Sequence, residues 1–219
     1  MPLLEEIPAF TGQPETHTFA GLLFDMDGTI VDSTDAIVKH WHKFVVPSKI
    51  IGSSDVSHVE GLIPKQFGLD AVEIPGARDL LASLEKAEAP WAIVTSGTRP
   101  LVTGWLEVMK LAHPKNMVVA EDVSIGKPDP ECYQLGKRRL GLSAEARVLV
   151  IEDSPAGITA GKAAGCKVIG LATTHSIAQL RAVRPDYIVQ DLRGVKFVGD
   201  AAEMIGEVSI EISHGLAAL

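Results

Sequence analysis

The stretch Leu22-Leu23-Phe24-Asp25-Met26-Asp27-Gly28-Thr29 decides how the rest of the chain is read. A short apolar run ends abruptly in two acids and a glycine. Residues two apart in extended backbone leave on the same face, so Asp25 and Asp27 project together while Met26 points the other way, toward a core. Two carboxylates held that close repel each other. A divalent cation relieves the repulsion, and Mg²⁺ prefers oxygen ligands. Gly28 permits the tight reversal that follows. Taken alone, the same residues also read as an acidic turn.

The pattern recurs along the chain. Apolar runs lie at Trp91–Val94, Met117–Val119, Val148–Ile151, Val168–Leu171 and Tyr187–Val189, with helix-like stretches between them at Arg99–Leu111, Glu131–Leu140, Ala156–Ala164 and Ser176–Val183. Strands that are apolar on both faces and alternate with helices predict a doubly wound, Rossmann-like α/β domain around a parallel sheet. Ligands of such sheets gather beyond the carboxyl ends of the strands. The residues that stand there are Asp25 to Thr29, Thr95-Ser96-Gly97-Thr98, Glu121-Asp122 with nearby Lys127, Glu152-Asp153-Ser154 and Thr173-Thr174-His175.

From Thr34 to Ile74 the rhythm breaks, and the stretch is longer than one crossover helix needs. It reads as a small helical cap, residues 34–74, inserted in a core made of residues 1–33 and 75–219. The alternating Val208-Ser209-Ile210-Glu211-Ile212 predicts an edge strand. Residues 1–18 read as a loose arm, and His40-Trp41-His42 as cap surface.

Each polar cluster has a plainer alternative. Thr95 and Ser96 offer hydroxyls and backbone N–H groups to a phosphate where a helix starts, or they simply cap that helix. Lys127, fixed between Gly126 and two prolines, points an ammonium at one place or lies in solvent. Glu152 and Asp153, adjacent acids at the tip of a buried strand, need a cation or donors. Otherwise Asp153 or Ser154 is only the next helix N-cap. The set is stronger than its members. An acid pair, a hydroxyl pair, a lysine and a second acid pair converging on one sheet describe phosphoryl transfer through an aspartyl-phosphate.

Composition narrows the partners. The chain has 219 residues, 46% hydrophobic and 22% charged, enough for a real core. With 20 Lys and Arg against 28 Asp and Glu, its net charge of −8 is the wrong sign for nucleic acid. The acidic N-terminus, the lack of a long apolar run and only two cysteines, Cys132 and Cys166, predict a soluble, cytoplasmic protein without membrane partners. A monomer or weak homodimer is expected. Ala156–Ala163 resembles a phosphate-binding P-loop superficially. It lacks the first glycine and the Ser or Thr for Mg²⁺. Gly157, Gly161 and Gly165 are expected to pack one helix face against the sheet.

Phe24–Thr29, Val94-Thr95-Ser96, Gly126-Lys127-Pro128 and Ile151-Glu152-Asp153 resemble, in order, the four motifs of the haloacid dehalogenase superfamily. With Trp91–Arg99, Glu152–Ile158 and Ala160–Lys167, the chain is similar to the fungal glycerol-phosphate and 2-deoxyglucose-6-phosphate phosphatases. The resemblance implies a Mg²⁺-dependent phosphatase of small sugar or polyol phosphates. It makes Asp25 the nucleophile and Asp27 the general acid and base. Thr95, Ser96 and Lys127 would hold the phosphate. The metal would be held by Asp25, the Asp27 carbonyl and Asp153, with Glu152 in contact directly or through water. Relatives carry more residues between the counterparts of Ile51 and Glu60, including substrate-facing ones for which His58 is a poor replacement. A short cap would admit a bulkier, isoprenoid or lipid-like phosphate. A catalytically weak phosphometabolite-binding protein is a further alternative, although binding alone does not need Asp27.

Overall fold

The computed structural model describes residues 10–44, 53–199, 206–213 and 215–216. Eleven strands and eight helices alternate along them. The strands are β1 (Glu15–Phe19), β2 (Gly21–Phe24), β3 (Val31–Asp32), β4 (Val72–Glu73), β5 (Trp91–Val94), β6 (Asn116–Val118), β7 (Val148–Glu152), β8 (Lys167–Leu171), β9 (Tyr187–Val189), β10 (Val195–Phe197) and β11 (Val208–Ile212). The helices are α1 (Thr34–Phe44), α2 (Ser53–Glu60), α3 (Ile63–Phe67), α4 (Ala77–Lys86), α5 (Arg99–Met109), α6 (Glu131–Arg139), α7 (Pro155–Ala163) and α8 (Ile177–Val183).

Six strands form one parallel sheet in the order β6-β5-β2-β7-β8-β9. Alternation sends Leu22, Phe24, Ile93, Leu149 and Ile151 to one face, where they pack with Leu81 and Leu84 of α4 and with Leu101 and Trp105 of α5. Leu23, Ala92, Val94, Val148 and Val150 go to the other, against Tyr133 of α6, Ile158 of α7 and Leu180 of α8. This is the expected doubly wound core. The chain runs from β2 outward on one side to β5 and β6, then returns to the other side with β7. The crevice beyond β2 is therefore the topological switch point, where ligands of such sheets bind.

Two expectations need correction. Val208–Ile212 is the centre of a second, antiparallel sheet, β1-β11-β10, rather than an edge. It alternates because one side, Val208, Ile210 and Ile212, joins the core. The second partner comes from the supposed loose arm, whose residues 15–19 are β1; residues 1–9 lie outside the description.

Between β2 and α4 come β3, α1, α2, α3, a 3₁₀ turn at Gly68–Asp70, and β4. β3 and β4 pair antiparallel, Val31 opposite Glu73 and Asp32 opposite Val72. Gly52 of this stretch lies outside the described residues. α3 packs on α5, where a Cβ on Gly104 would come 2.8 Å from the Pro64 Cγ. His40 is fully buried, edge-on to Phe67 at 5.9 Å between ring centres, and so is not the surface residue expected. His58 is exposed on α2.

Candidate active site

Each strand tip around the switch point delivers a polar group into one cleft of about 420 Å³, lined among others by Asp25, Asp27, Thr95, Ser96, Lys127, Glu152, Asp153, Thr174 and His175. All seven site residues expected from sequence are therefore brought together. Asp25 follows β2 and has its backbone N–H tied to the Ile151 carbonyl. Met26 is fully buried beneath, as the alternation requires. Gly28 has φ +84°, and a Cβ on it would lie 2.3 Å from an Asp153 carboxylate oxygen. Only glycine meets both demands at the place where the first loop touches the fourth.

Lys127 stands at the centre of the charges. Its Nζ donates to Asp25 Oδ1 at 2.5 Å, to Glu152 Oε1 at 2.7 Å and to the Val94 carbonyl at 3.1 Å. Burial works against the ammonium, but Asp25 and Glu152 outweigh it and hold the Lys127 pKa well above the ordinary value. Burial raises the Asp25 carboxyl well above its usual range. Lys127 opposes that rise, while Glu152 and Asp153 add to it. Burial, then the charge of Glu152, push Asp153 up to about 6, although a hydrogen bond from Thr174 pulls it back. Asp27 is also raised by burial, against the pull of the Ser33 hydroxyl, which donates to Asp27 Oδ1 at 2.5 Å.

The hydroxyl pair divides its labour. Thr95 is buried and its Oγ1 accepts the Gly97 N–H at 3.0 Å, fixing the loop before α5, whereas Ser96 is exposed in the cleft. Ser154, not Asp153, caps α7, accepting the Gly157 N–H at 3.1 Å. Asp153 is thereby left to the cleft, with Thr29 donating to it at 3.4 Å and Thr174 donating to its other oxygen.

Carboxylate oxygens of Asp25, Glu152 and Asp153 lie within 4.8 Å of one another. One ammonium cannot neutralise three buried carboxylates, so the donor set fits a hard divalent cation. The two oxygens of Glu152 accept four protein donors and those of Asp153 two, whereas among the described residues the Asp25 carboxylate accepts only Lys127, so Asp25 is the freest of the three.

Sequence reasoning did not single out Ser33 or Tyr133, and it placed Thr174 at a strand tip without giving it a role. Ser33 precedes α1 and could have been found by its place six residues after Asp27. Tyr133 had no signal, because its partner Glu152 sits on a separate element. The glycine expectation holds in part. Gly161 faces Val150 and Val168 of the sheet, but Gly157 faces Glu152 and Gly165 faces open space. Cys132 and Cys166 are buried, as small hydrophobes.

The family of haloacid dehalogenase-like hydrolases matches residues 65–171, a span holding Thr95, Ser96, Lys127, Glu152 and Asp153. Glycerol-1-phosphate phosphohydrolase 1 of Saccharomyces cerevisiae is 33% identical over 233 residues, covering 91% of this chain and 93% of its own. Hexitol phosphatase A of Escherichia coli is 35% identical over 202 residues, covering 80% and 92%. 2-Deoxyglucose-6-phosphate phosphatase 1 of S. cerevisiae is 34% identical over 219 residues, covering 80% and 89%. A crystal structure of a hydrolase from Pseudomonas syringae shares the fold with a TM-score of 0.65 at 24% identity, over 78% of this chain and 93% of that one. The chain belongs to the haloacid dehalogenase-like hydrolases, and among them it is a phosphoric monoester hydrolase.

Proposed function

We propose that the protein hydrolyses the phosphate monoester of a small sugar or polyol, with Mg²⁺, through an aspartyl-phosphate on Asp25. The observation that carries this is the convergence of Asp25, Asp27 and Lys127 in one cleft. Lys127 occupies Oδ1 of Asp25, and among the described residues Oδ2 accepts no hydrogen bond. Oδ2 attacks phosphorus, the bond to the alcohol oxygen breaks, and Asp27 gives that oxygen its proton. Burial raises the Asp27 carboxyl, which favours the protonated form that this step needs. Asp27 then takes a proton from the water that attacks phosphorus, releasing phosphate and restoring Asp25. Ser96, the loop held by Thr95, and Lys127 hold the phosphate oxygens. Asp25, the Asp27 carbonyl and Asp153 would hold Mg²⁺, while Glu152, whose oxygens accept four protein donors, would stand behind them. The ion would offset the charge that gathers on the phosphoryl oxygens.

The same proposal divides the chain into a core, residues 1–33 and 75–219, and a shortened helical cap, residues 34–74. The alignment to glycerol-1-phosphate phosphohydrolase 1 runs over 233 residues, longer than this 219-residue chain, so it must open gaps in the chain. Lining favours a polar substrate over a lipid-like one. Among the described residues that line the cleft, Ile37 is the only large aliphatic side chain. The relatives named for glycerol, hexitol and deoxyglucose phosphates agree with that choice.

The test is phosphate release with and without Mg²⁺ from glycerol 1-phosphate, a hexitol phosphate, 2-deoxyglucose 6-phosphate, phosphoglycolate and an isoprenyl phosphate, with Asp25→Asn as control. Metal-dependent turnover of the polyol or sugar esters is expected. Preference for the isoprenyl ester, or wild-type rates in Asp25→Asn, would overturn the proposal.

A further inference from the structure

We infer that Tyr133 and Gly157 are positioning residues for Lys127, acting together through the Glu152 carboxylate; the inference rests on Lys127 being the phosphate-binding lysine proposed above. Glu152 is sealed from solvent, its side chain 1% exposed. Its Oε1 accepts both the Lys127 ammonium at 2.7 Å and the Tyr133 hydroxyl at 3.1 Å. Its Oε2 accepts the backbone N–H of Ser154 at 2.8 Å and the Ser154 hydroxyl at 3.0 Å. Four donors on two oxygens fix the carboxylate in position and orientation. Its function in the cleft is then to aim the lysine, since no oxygen is left uncommitted.

Tyr133 acts on the lysine twice. The ammonium lies 5.2 Å from the centre of the Tyr133 ring, near enough for attraction to its π face, while the hydroxyl bonds the carboxylate that anchors the same ammonium. Tyr133 is wholly buried, so its hydroxyl has no water to turn to. Gly157 supplies the room. A Cβ there would lie 1.5 Å from Glu152 Oε1 and 2.6 Å from Oε2, inside the volume the carboxylate fills. Any side chain at this position on α7 evicts Glu152 and frees one anchor of Lys127. This gives Gly157 a role separate from the packing of Gly161 against the sheet.

The experiment uses inorganic phosphate as the probe, titrated calorimetrically into wild type, Tyr133→Phe and Gly157→Ala in saturating Mg²⁺, beside kcat/KM for p-nitrophenyl phosphate and the Mg²⁺ activation constant. Tyr133→Phe keeps the ring and removes one hydrogen bond to a charged group, so phosphate affinity and kcat/KM should each fall about tenfold. Gly157→Ala should lower both by roughly tenfold or more. The Mg²⁺ constant should stay within about twofold of wild type, which a general loss of structure would not allow. Unchanged phosphate affinity in folded Tyr133→Phe, with an active wild type, overturns the inference and leaves the phosphatase proposal standing. A weakened Mg²⁺ constant with intact phosphate affinity also overturns it, by making Glu152 a metal ligand. If Gly157→Ala does not fold, Tyr133→Phe decides alone. A wild type that neither binds nor releases phosphate sinks the phosphatase proposal and this inference with it.

Discussion

Asp25, Lys127 and Glu152 have side chains less than one-tenth exposed, each tied to a strand end or to the loop it meets. In the helical stretch between β3 and β4, by contrast, Leu69 is fully exposed and the ion pair of Lys39 with Asp70 lies half in solvent. The first region holds its charges largely out of solvent and against buried backbone, so each interaction there is strong and each loss is large. The second buries Ala36, His40 and Ile63, sets Pro64 on Gly104 and leaves its outer face to solvent. The proposed chemistry and the proposed cap thus lie in regions of unequal exposure, and substitutions should have unequal effects.

The largest effect is expected at the proposed nucleophile. Asp25→Asn keeps the shape and should lower turnover by roughly 10⁴-fold or more, measured as phosphate release from a folded variant. Asp27→Asn should slow alkyl phosphates by roughly 10²–10⁴-fold but p-nitrophenyl phosphate much less, because that leaving group needs no proton. Equal losses on both esters would contradict the acid role. Lys127→Ala should cost roughly 10²–10³-fold in kcat/KM, with weaker inhibition by inorganic phosphate.

Metal and pH sharpen the contrast further. Asp153 is ordinarily ionised above pH 3.8 but here is raised to about 6. The metal-free fold therefore binds the extra proton, and the stability this contributes is full below pH 3.8 and lost as pH rises through 6. Mg²⁺ must displace that proton below pH 6. Its stabilisation, read as the rise in Tm over EDTA, should be larger at pH 7.5 than at pH 5, and an equal rise at both would remove Asp153 from the metal site. The smallest effect is expected in the proposed cap. Lys39→Ala breaks a solvated ion pair and should leave both turnover and the urea midpoint where they are.

Legibility follows the same division. Buried strands announce themselves, since Val148–Ile151 must be apolar on both faces and its polar successors can only be at its tip. Hence the sheet, and the convergence of the seven expected residues at its strand tips, were readable from residue order. What escaped was contact between elements distant in sequence. Nothing local marks His40 as buried under Phe67, or ties residues 15–19 to β11. Alternation in Val208–Ile212 reports that one face is covered, and it cannot report how many neighbours the strand has. Tyr133 went unremarked within the helix-like stretch Glu131–Leu140, because a hydroxyl aimed at Glu152 leaves no trace in periodicity.

The short ladder of Val31 and Asp32 with Glu73 and Val72 ties together the entrance and exit of the insertion. Once those ends are joined, the entropy of closing the loop grows only slowly with its length, about 0.6 kcal/mol for each doubling. The core therefore registers a neck of constant width whatever hangs from it. Changes of length in the hanging part thus cost the fold little, and Thr34 and Ile37, which follow the ladder and line the cleft, are the residues through which such a change would reach the proposed chemistry.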